Sequence, residues 1–197
     1  RIITLNEKHQ NAFFAAVRKR TLDEKGLFSG RERKRGAVED FLNATRSKNT
    51  DSFLLLYGDI KDAVYFCALD SDTVPQPNTV RQLVGILEYP PNKPLFNNEA
   101  TAVESGYAVA APRMEVRLSS ARENLFSKII SGFGGVENYS NPSFSLYQDL
   151  YGEGIFAGKG VIEIESFLHV LHEAFPENTV LSHDILEGSL LRLSLIH

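Results

Sequence analysis

The feature that most constrains the fold is an uninterrupted apolar run, residues 63–69 (AVYFCAL). A strand with one face in water alternates apolar and polar residues, whereas a run without alternation is typical of a strand covered on both faces. Cys67 inside the run is interpreted as a small buried apolar side chain. The run therefore predicts a central strand in a sheet that carries helices on its faces.

Helices and strands are predicted to alternate along the chain. Apolar residues at helical spacing predict helices, short apolar runs between turn signals predict strands, and residues 12–17 are compatible with either. The predicted helices are 36–46, 79–88, 118–130 and 165–174, and the further strands are 52–57 and 107–111. Such alternation is typical of an α/β protein, and a length of 197 residues favours a single domain, 1–197.

The composition excludes several classes of protein. Hydrophobic residues make up 43% and charged residues 23% of the chain, which is ordinary for a globular domain and not for a disordered one. One cysteine excludes a disulfide framework. No apolar run is long enough to cross a bilayer, and no signal peptide is expected at the start. A net charge of −4 disfavours nucleic acid as the main partner.

Basic residues crowd into one short stretch of this acidic chain. Arg31, Arg33, Lys34 and Arg35 stand directly before the predicted helix 36–46. Because the free N–H groups at the start of a helix favour phosphate, the stretch is a candidate site for an anionic ligand. A solvated run of charges is the alternative.

Two carboxylates, Asp70 and Asp72, follow the predicted central strand at its carboxyl end. Ligands of α/β sheets bind at that edge, and carboxylate oxygens are ligands that Mg²⁺ or Mn²⁺ prefers. The pair is therefore a candidate metal site that bridges the protein to substrate phosphates. Because aspartate is also common in turns, an ordinary turn is the alternative.

A further candidate carboxylate, Asp184, follows the strand-like apolar residues 179–181. At the edge of a cleft it could serve as a general base. The alternative is an N-cap aspartate that opens a helix at 185–193. His183 beside it is either a ligand contact or a structural histidine.

Residues 148–160 are rich in glycine and in polar side chains. Glycine lets the backbone approach a ligand closely, so this stretch is a fourth candidate. A surface turn is the alternative. The candidate residues are Asp149, Glu153, Gly158 and Lys159.

Taken in order, these motifs resemble the glycosyltransferase region of bacterial cyclic β-1,2-glucan synthases. The resemblance extends from about Phe13 to Arg192. It rests on five spaced motifs, namely 32–36 (ERKRG), 69–73 (LDSDT), 147–154 (YQDLYGEG), 158–160 (GKG) and 182–188 (SHDILEG), and residues 83–85, 91–94 and 176–178 are similar to that family as well. The resemblance implies a GT-A-like α/β fold, with a mixed, mostly parallel sheet flanked by helices and incomplete at both ends.

The resemblance also implies an activity: inverting transfer of glucose from UDP-glucose to a β-1,2-glucan acceptor, assisted by Mg²⁺ or Mn²⁺. The implied location is the cytoplasmic face of the bacterial inner membrane, within a larger protein whose membrane segments are absent from this chain. By position, Asp70 and Asp72 match the metal-binding Asp-x-Asp, and Asp184 matches the catalytic base. The residues expected at the nucleotide are Lys34, Arg35, Gly36 and Asp70. Those expected at the substrate or acceptor are Asp149, Glu153, Gly158, Lys159 and His183.

Two other interpretations stay open. Residues 70–74 (DSDTV) after a strand also fit a haloacid-dehalogenase-like phosphatase, with Asp70 as nucleophile and Asp72 as acid and base. The long stretch before the motif counts against that class, and so does the lack of a late acidic pair. The second interpretation is a catalytically inactive domain that binds sugar nucleotide weakly or not at all.

Overall fold

The computed structural model divides the chain into two compact units, Arg1–Val64 with Pro176–Val180 and Tyr65–Phe175 with Leu181–His197. The residues that it describes are 2–10, 12–22, 26, 28–58, 60, 62–112, 114, 150–171, 174–176, 179–180 and 183–196. The predicted helix 118–130 lies outside them. A single domain over 1–197 stays a prediction.

The first unit holds two helices and two small antiparallel sheets among its described residues. The helices are α1 (Ile2–Lys8) and α2 (Arg33–Ser47), and the strands are β1 (Ala15–Arg18), β2 (Thr21–Leu22), β3 (Phe28–Ser29) and β4 (Phe53–Tyr57). β1 pairs with β4, and β2 pairs with β3. Residues 12–17, whose sequence is compatible with either a helix or a strand, contribute to the strand β1. The strand predicted at 52–57 is confirmed.

Among its described residues, the second unit is built on a four-stranded sheet and has the following elements. Its helices are α3 (Thr79–Glu88), α4 (Ile164–Leu171) and α5 (Asp184–Leu191), with a 3-10 turn at Pro90–Asn92. Its strands are β5 (Tyr65–Ala68), β6 (Leu95–Phe96), β7 (Val103–Ser105), β8 (Val109–Pro112), β9 (Gly160–Glu163) and β10 (Leu193–Ile196). The sheet order is β10-β8-β9-β5, while β6 and β7 form a separate pair. The helix predicted at 79–88 and the strand predicted near 107–111 are confirmed.

The sheet is mixed, and helices pack on both of its faces. β5, β8 and β10 run in one direction and β9 runs against them, so only β8 and β10 form a parallel pair. Side chains alternate between the faces of a strand. On one face, Leu83 and Leu87 of α3 pack with Val161; on the other, Phe66 meets the ring of Phe167 of α4 at 5.7 Å. The α/β class with flanking helices is confirmed, but the prediction of a mostly parallel sheet is wrong for the described strands, because two of their three pairings are antiparallel.

The prediction of a central, fully covered strand at 63–69 is wrong for the described sheet. β5 stands at the end of the four-strand order, and its residues are only half-buried. The covered positions are taken by β8 and β9, where Val109, Ala110, Val161 and Ile162 are 2% exposed or less. An apolar run indicates that a strand packs against other residues, but its place in the sheet depends on pairing with strands far along the chain.

The bounds of two predicted helices are also wrong, and the described residues of the strand-like run 179–181 do not form a strand. The helix predicted at 36–46 begins at Arg33, so the basic stretch forms its first turn. The helix predicted at 165–174 is Ile164–Leu171. Residues 179 and 180 form no strand. Within the described part of the chain, no helix combines the length and the apolar character needed to cross a membrane.

Candidate functional site

One edge of the four-stranded sheet collects the residues that follow β5 and precede β9. The two strands are antiparallel, with Ala68 opposite Gly160, so Asp70 and Lys159 emerge at the same edge. We call it the carboxyl edge, because β5, β8 and β10 all end there. Nζ of Lys159 lies 3.1 Å from Oδ2 of Asp70, with the two side chains 23% and 42% exposed.

Asp184 reaches the same edge from α5. Its carboxylate lies directly against Gly158, since a Cβ atom built on that glycine would stand 2.6 Å from Oδ2 of Asp184. Gly158 has a φ of +73°, a backbone conformation that favours glycine. The dipeptide 158–159 therefore separates two carboxylates, with Asp70 at its lysine and Asp184 at its glycine.

The start of α5 differs from the N-cap interpretation of Asp184. The helix spans Asp184–Leu191 rather than 185–193, so Asp184 is its first residue and His183 is the N-cap. The side chain of His183 makes no capping hydrogen bond. A carboxylate in the first turn is favoured by the helix dipole, which leaves Asp184 compatible with both a structural and a chemical role.

Two buried polar residues stand beside Asp184. His183 is 6% exposed, and its ring lies 5.7 Å from that of Phe175. Glu187 is also 6% exposed; it follows Asp184 by three positions, a spacing that places side chains on neighbouring parts of a helix surface. Sequence reasoning missed Glu187, although the helix predicted around it carried that spacing.

Asp72 lies in an exposed turn after β5. The N–H of Thr73 donates to the carbonyl of Asp70 over 3.0 Å, which closes the turn that carries both aspartates. Among the described residues, no group of three or more His, Cys, Asp or Glu side chains is placed to hold a metal ion.

The opposite edge of the sheet, which we call the amino edge, holds Glu153. Its Oε2 lies 3.3 Å from Nε of Arg192, directly before β10. The hydroxyl of Tyr107, ahead of β8, donates to the carbonyl of Gly152 over 2.8 Å. The structure therefore does not bring Glu153 together with Asp70 and Asp184, and Asp149 lies outside the described residues.

A second cluster at the amino edge joins β5 to α3. The hydroxyl of Tyr65 donates to Oε1 of Glu88 over 2.7 Å, and Nζ of Lys93 lies 3.0 Å from Oε2 of the same carboxylate. Burial raises the pKa of Tyr65, while the hydrogen bond from Tyr65 lowers the pKa of Glu88. Burial also raises the pKa of the Cys67 thiol, which disfavours the reactive thiolate.

The basic stretch of the first unit is tied to acidic side chains of its own helix. Arg35 is 8% exposed, and its Nε lies 2.8 Å from Oε1 of Glu39. Arg18 binds Asp40 at 2.6 Å. Arg35 lies inside the helix rather than before it, and its burial is compatible with the pairing because a buried arginine is stabilised by a paired carboxylate.

Gly36 serves packing inside the same unit. A Cβ atom there would stand 2.1 Å from the carbonyl oxygen of Arg31, and the N–H of Gly36 already donates to Glu32. Lys34 is exposed. The assignment of Lys34, Arg35 and Gly36 to a nucleotide stays a prediction.

These observations define a class of protein: an α/β unit with carboxylates at the carboxyl ends of its strands, where ligands of α/β sheets bind. The chain is related to a segment of a glucan synthase. It is 36% identical over 187 residues to cyclic beta-(1,2)-glucan synthase NdvB of Rhizobium meliloti (strain 1021). The match covers 93% of this chain and 7% of that protein. No protein-family model matches.

Proposed function

We propose that the chain is a glucosyltransferase region that transfers glucose from UDP-glucose to a β-1,2-glucan acceptor with inversion. The relationship to a glucan synthase over 93% of the chain supports glycosyl transfer. The observation that carries the proposal is the placement of Asp70 and Asp184 on either side of residues 158–159. A mixed sheet with helices on both faces is also compatible with the proposed GT-A-like fold.

Asp184 is the proposed general base. In a single displacement, the 2-hydroxyl of the acceptor attacks the anomeric carbon of glucose while the bond to the UDP oxygen breaks. The carboxylate accepts the hydroxyl proton as the new C–O bond forms. Its place at the start of α5, in contact with the backbone of Gly158, holds the carboxylate in one position.

Asp70 and Asp72 fit a divalent cation that arrives with a diphosphate. Mg²⁺ is usually held by one or two carboxylates together with substrate phosphates, and this turn supplies two carboxylates. Among the described residues, no third acidic or imidazole side chain joins them in a metal-binding group. When bound, the cation would supply charge neutralisation for the departing diphosphate.

The location is proposed from the family resemblance. The proposed site of the reaction is the cytoplasmic face of the bacterial inner membrane, in a larger protein that supplies the membrane segments. The partners are then UDP-glucose and the glucan, with no nucleic acid.

The decisive experiment replaces Asp184 by asparagine. Asp184→Asn keeps the shape of the side chain but removes its basicity, so transfer of labelled glucose should fall roughly 10²–10⁴-fold. Calorimetric binding of UDP-glucose with Mn²⁺ should stay near the wild-type value, because the change leaves the donor contacts in place. The matched control is Asp62→Asn, an exposed aspartate of the first unit that pairs with Arg46; its transfer rate should be unchanged.

Two results would contradict the proposal. A normal rate of glucose transfer by Asp184→Asn would exclude Asp184 as the general base. A folded wild-type chain that binds neither UDP nor UDP-glucose with Mn²⁺ would favour the inactive-domain interpretation instead.

A further inference from the structure

The side chain of Lys159 is held at the carboxylate where a cation is proposed to bind. Its Nζ lies 3.1 Å from Oδ2 of Asp70, and only 23% of the side chain is exposed. A lysine ammonium is strongly hydrated and costs free energy to cover unless an opposite charge meets it. The ion pair with Asp70 is therefore the arrangement that makes this placement favourable.

The backbone on both sides of Lys159 is fixed by close approaches. Gly158 lies against the Asp184 carboxylate. A Cβ atom on Gly160 would stand 2.6 Å from the carbonyl oxygen of Ala110 in the neighbouring strand β8. Because neither flanking residue has room for a side chain, the backbone of Lys159 is anchored directly before β9, and the fold sets how far its side chain reaches.

A cation that approaches Asp70 meets the charge already there. The ammonium supplies one positive charge to the carboxylate, and a second cation at the same oxygen is repelled by it. A diphosphate would change this balance. Its negatively charged oxygens can pair with the lysine ammonium in place of Asp70, so that the Asp70 carboxylate can bind the metal. Four methylene groups let the ammonium move between the two acceptors.

We propose that Lys159 is an exchangeable counter-ion, a positioning residue that occupies Asp70 until a nucleotide diphosphate draws it away. This inference rests on the proposed function for its nucleotide. Its consequence is an order of binding: the divalent cation binds weakly to the chain alone and tightly once the diphosphate is present.

The test measures Mn²⁺ affinity with and without UDP, by the electron paramagnetic resonance signal of free Mn²⁺. Without UDP, Lys159→Ala should bind Mn²⁺ about three- to tenfold more tightly than wild type, because the competing charge is gone. With saturating UDP the tightening should be less than about twofold, since the lysine has already left Asp70. Lys159→Arg keeps a cation and should keep the weak binding.

The control is Lys93→Ala, which removes a lysine paired with Glu88 at the amino edge. It changes the net charge equally and should leave Mn²⁺ affinity unchanged. An unchanged affinity in Lys159→Ala without UDP would overturn the inference, as would equal tightening with and without UDP. Failure of the proposed function is detected separately, as an absence of UDP binding by the wild-type chain in calorimetry.

Discussion

Replacement of Gly158 by alanine tests the central geometric claim, that the Asp184 carboxylate lies against this glycine. The φ of +73° costs an L-residue about 1–2 kcal/mol. The new Cβ would also stand 2.6 Å from Oδ2 and 2.9 Å from Oδ1 of Asp184, so the carboxylate must turn away from its position. A displaced rotamer adds about 0.5–1.5 kcal/mol, and the expected total loss of unfolding free energy is about 1.5–3.5 kcal/mol.

Gly152 provides a matched control in the same segment. Its φ is +68°, and a Cβ atom there meets nothing within 4 Å. Gly152→Ala should therefore show the backbone cost alone, about 1–2 kcal/mol. The excess for Gly158→Ala, about 1 kcal/mol, corresponds to a further fall of roughly 2–4 °C in the unfolding midpoint of a chain of this size.

The assay is urea denaturation followed by circular dichroism, combined with glucose transfer. In an Asp184→Ala background the excess cost of Gly158→Ala should vanish, because the atom that it collides with is gone. Transfer should fall in Gly158→Ala and persist in Gly152→Ala. Equal destabilisation by the two alanines in the wild-type background would refute the reasoning, and so would an excess that survives removal of the carboxylate.

Two further predictions concern packing and pH. Gly85 lies in α3 with nothing within 4 Å of a new Cβ, so Gly85→Ala should stabilise the chain by about 0.5–1 kcal/mol; Gly188→Ala in α5 would place its Cβ 2.4 Å from Phe156 and should destabilise by about 1–3 kcal/mol. Thermal unfolding that shows the same sign for both would contradict the packing of α5. The hydrogen bond from Tyr65 lowers the pKa of Glu88, so its stabilisation is present above the ordinary glutamate pKa and lost as the pH falls. Measured by urea denaturation, the free energy of unfolding of Glu88→Gln should then fall less than that of the wild type between about pH 6 and pH 3.

Where the sequence signal is local, the structure follows it. The helix at Thr79–Glu88 has the predicted bounds, because Leu83 and Leu87 form an apolar stripe and Pro90 stops the helix soon afterwards. The position of Asp70 directly after a strand is of the same kind. Such features depend on a few consecutive residues, so a short stretch of the sequence is enough to predict them.

Features that depend on distant pairings were not predictable in the same way. Whether β5 is central or terminal is decided by β8 and β9, which follow it by dozens of residues. Arg35 combines both cases: its pair with Glu39 is a local contact four positions along one helix, whereas its burial at 8% exposure depends on how the unit packs.

The glycine-rich stretch shows how one motif serves two purposes at its two ends. At the amino edge, the N–H of Gly154 donates to the carbonyl of Leu193 over 2.9 Å, and the neighbouring Glu153 pairs with Arg192. At the carboxyl edge, residues 158–159 lie between Asp70 and Asp184. The first end is attached to β10 at Leu193. Glycines that are alike in sequence therefore serve different packing needs: a Cβ atom on Gly154 would stand 3.0 Å from the side chains of Leu193 and Leu195, whereas Gly158 leaves space for a carboxylate.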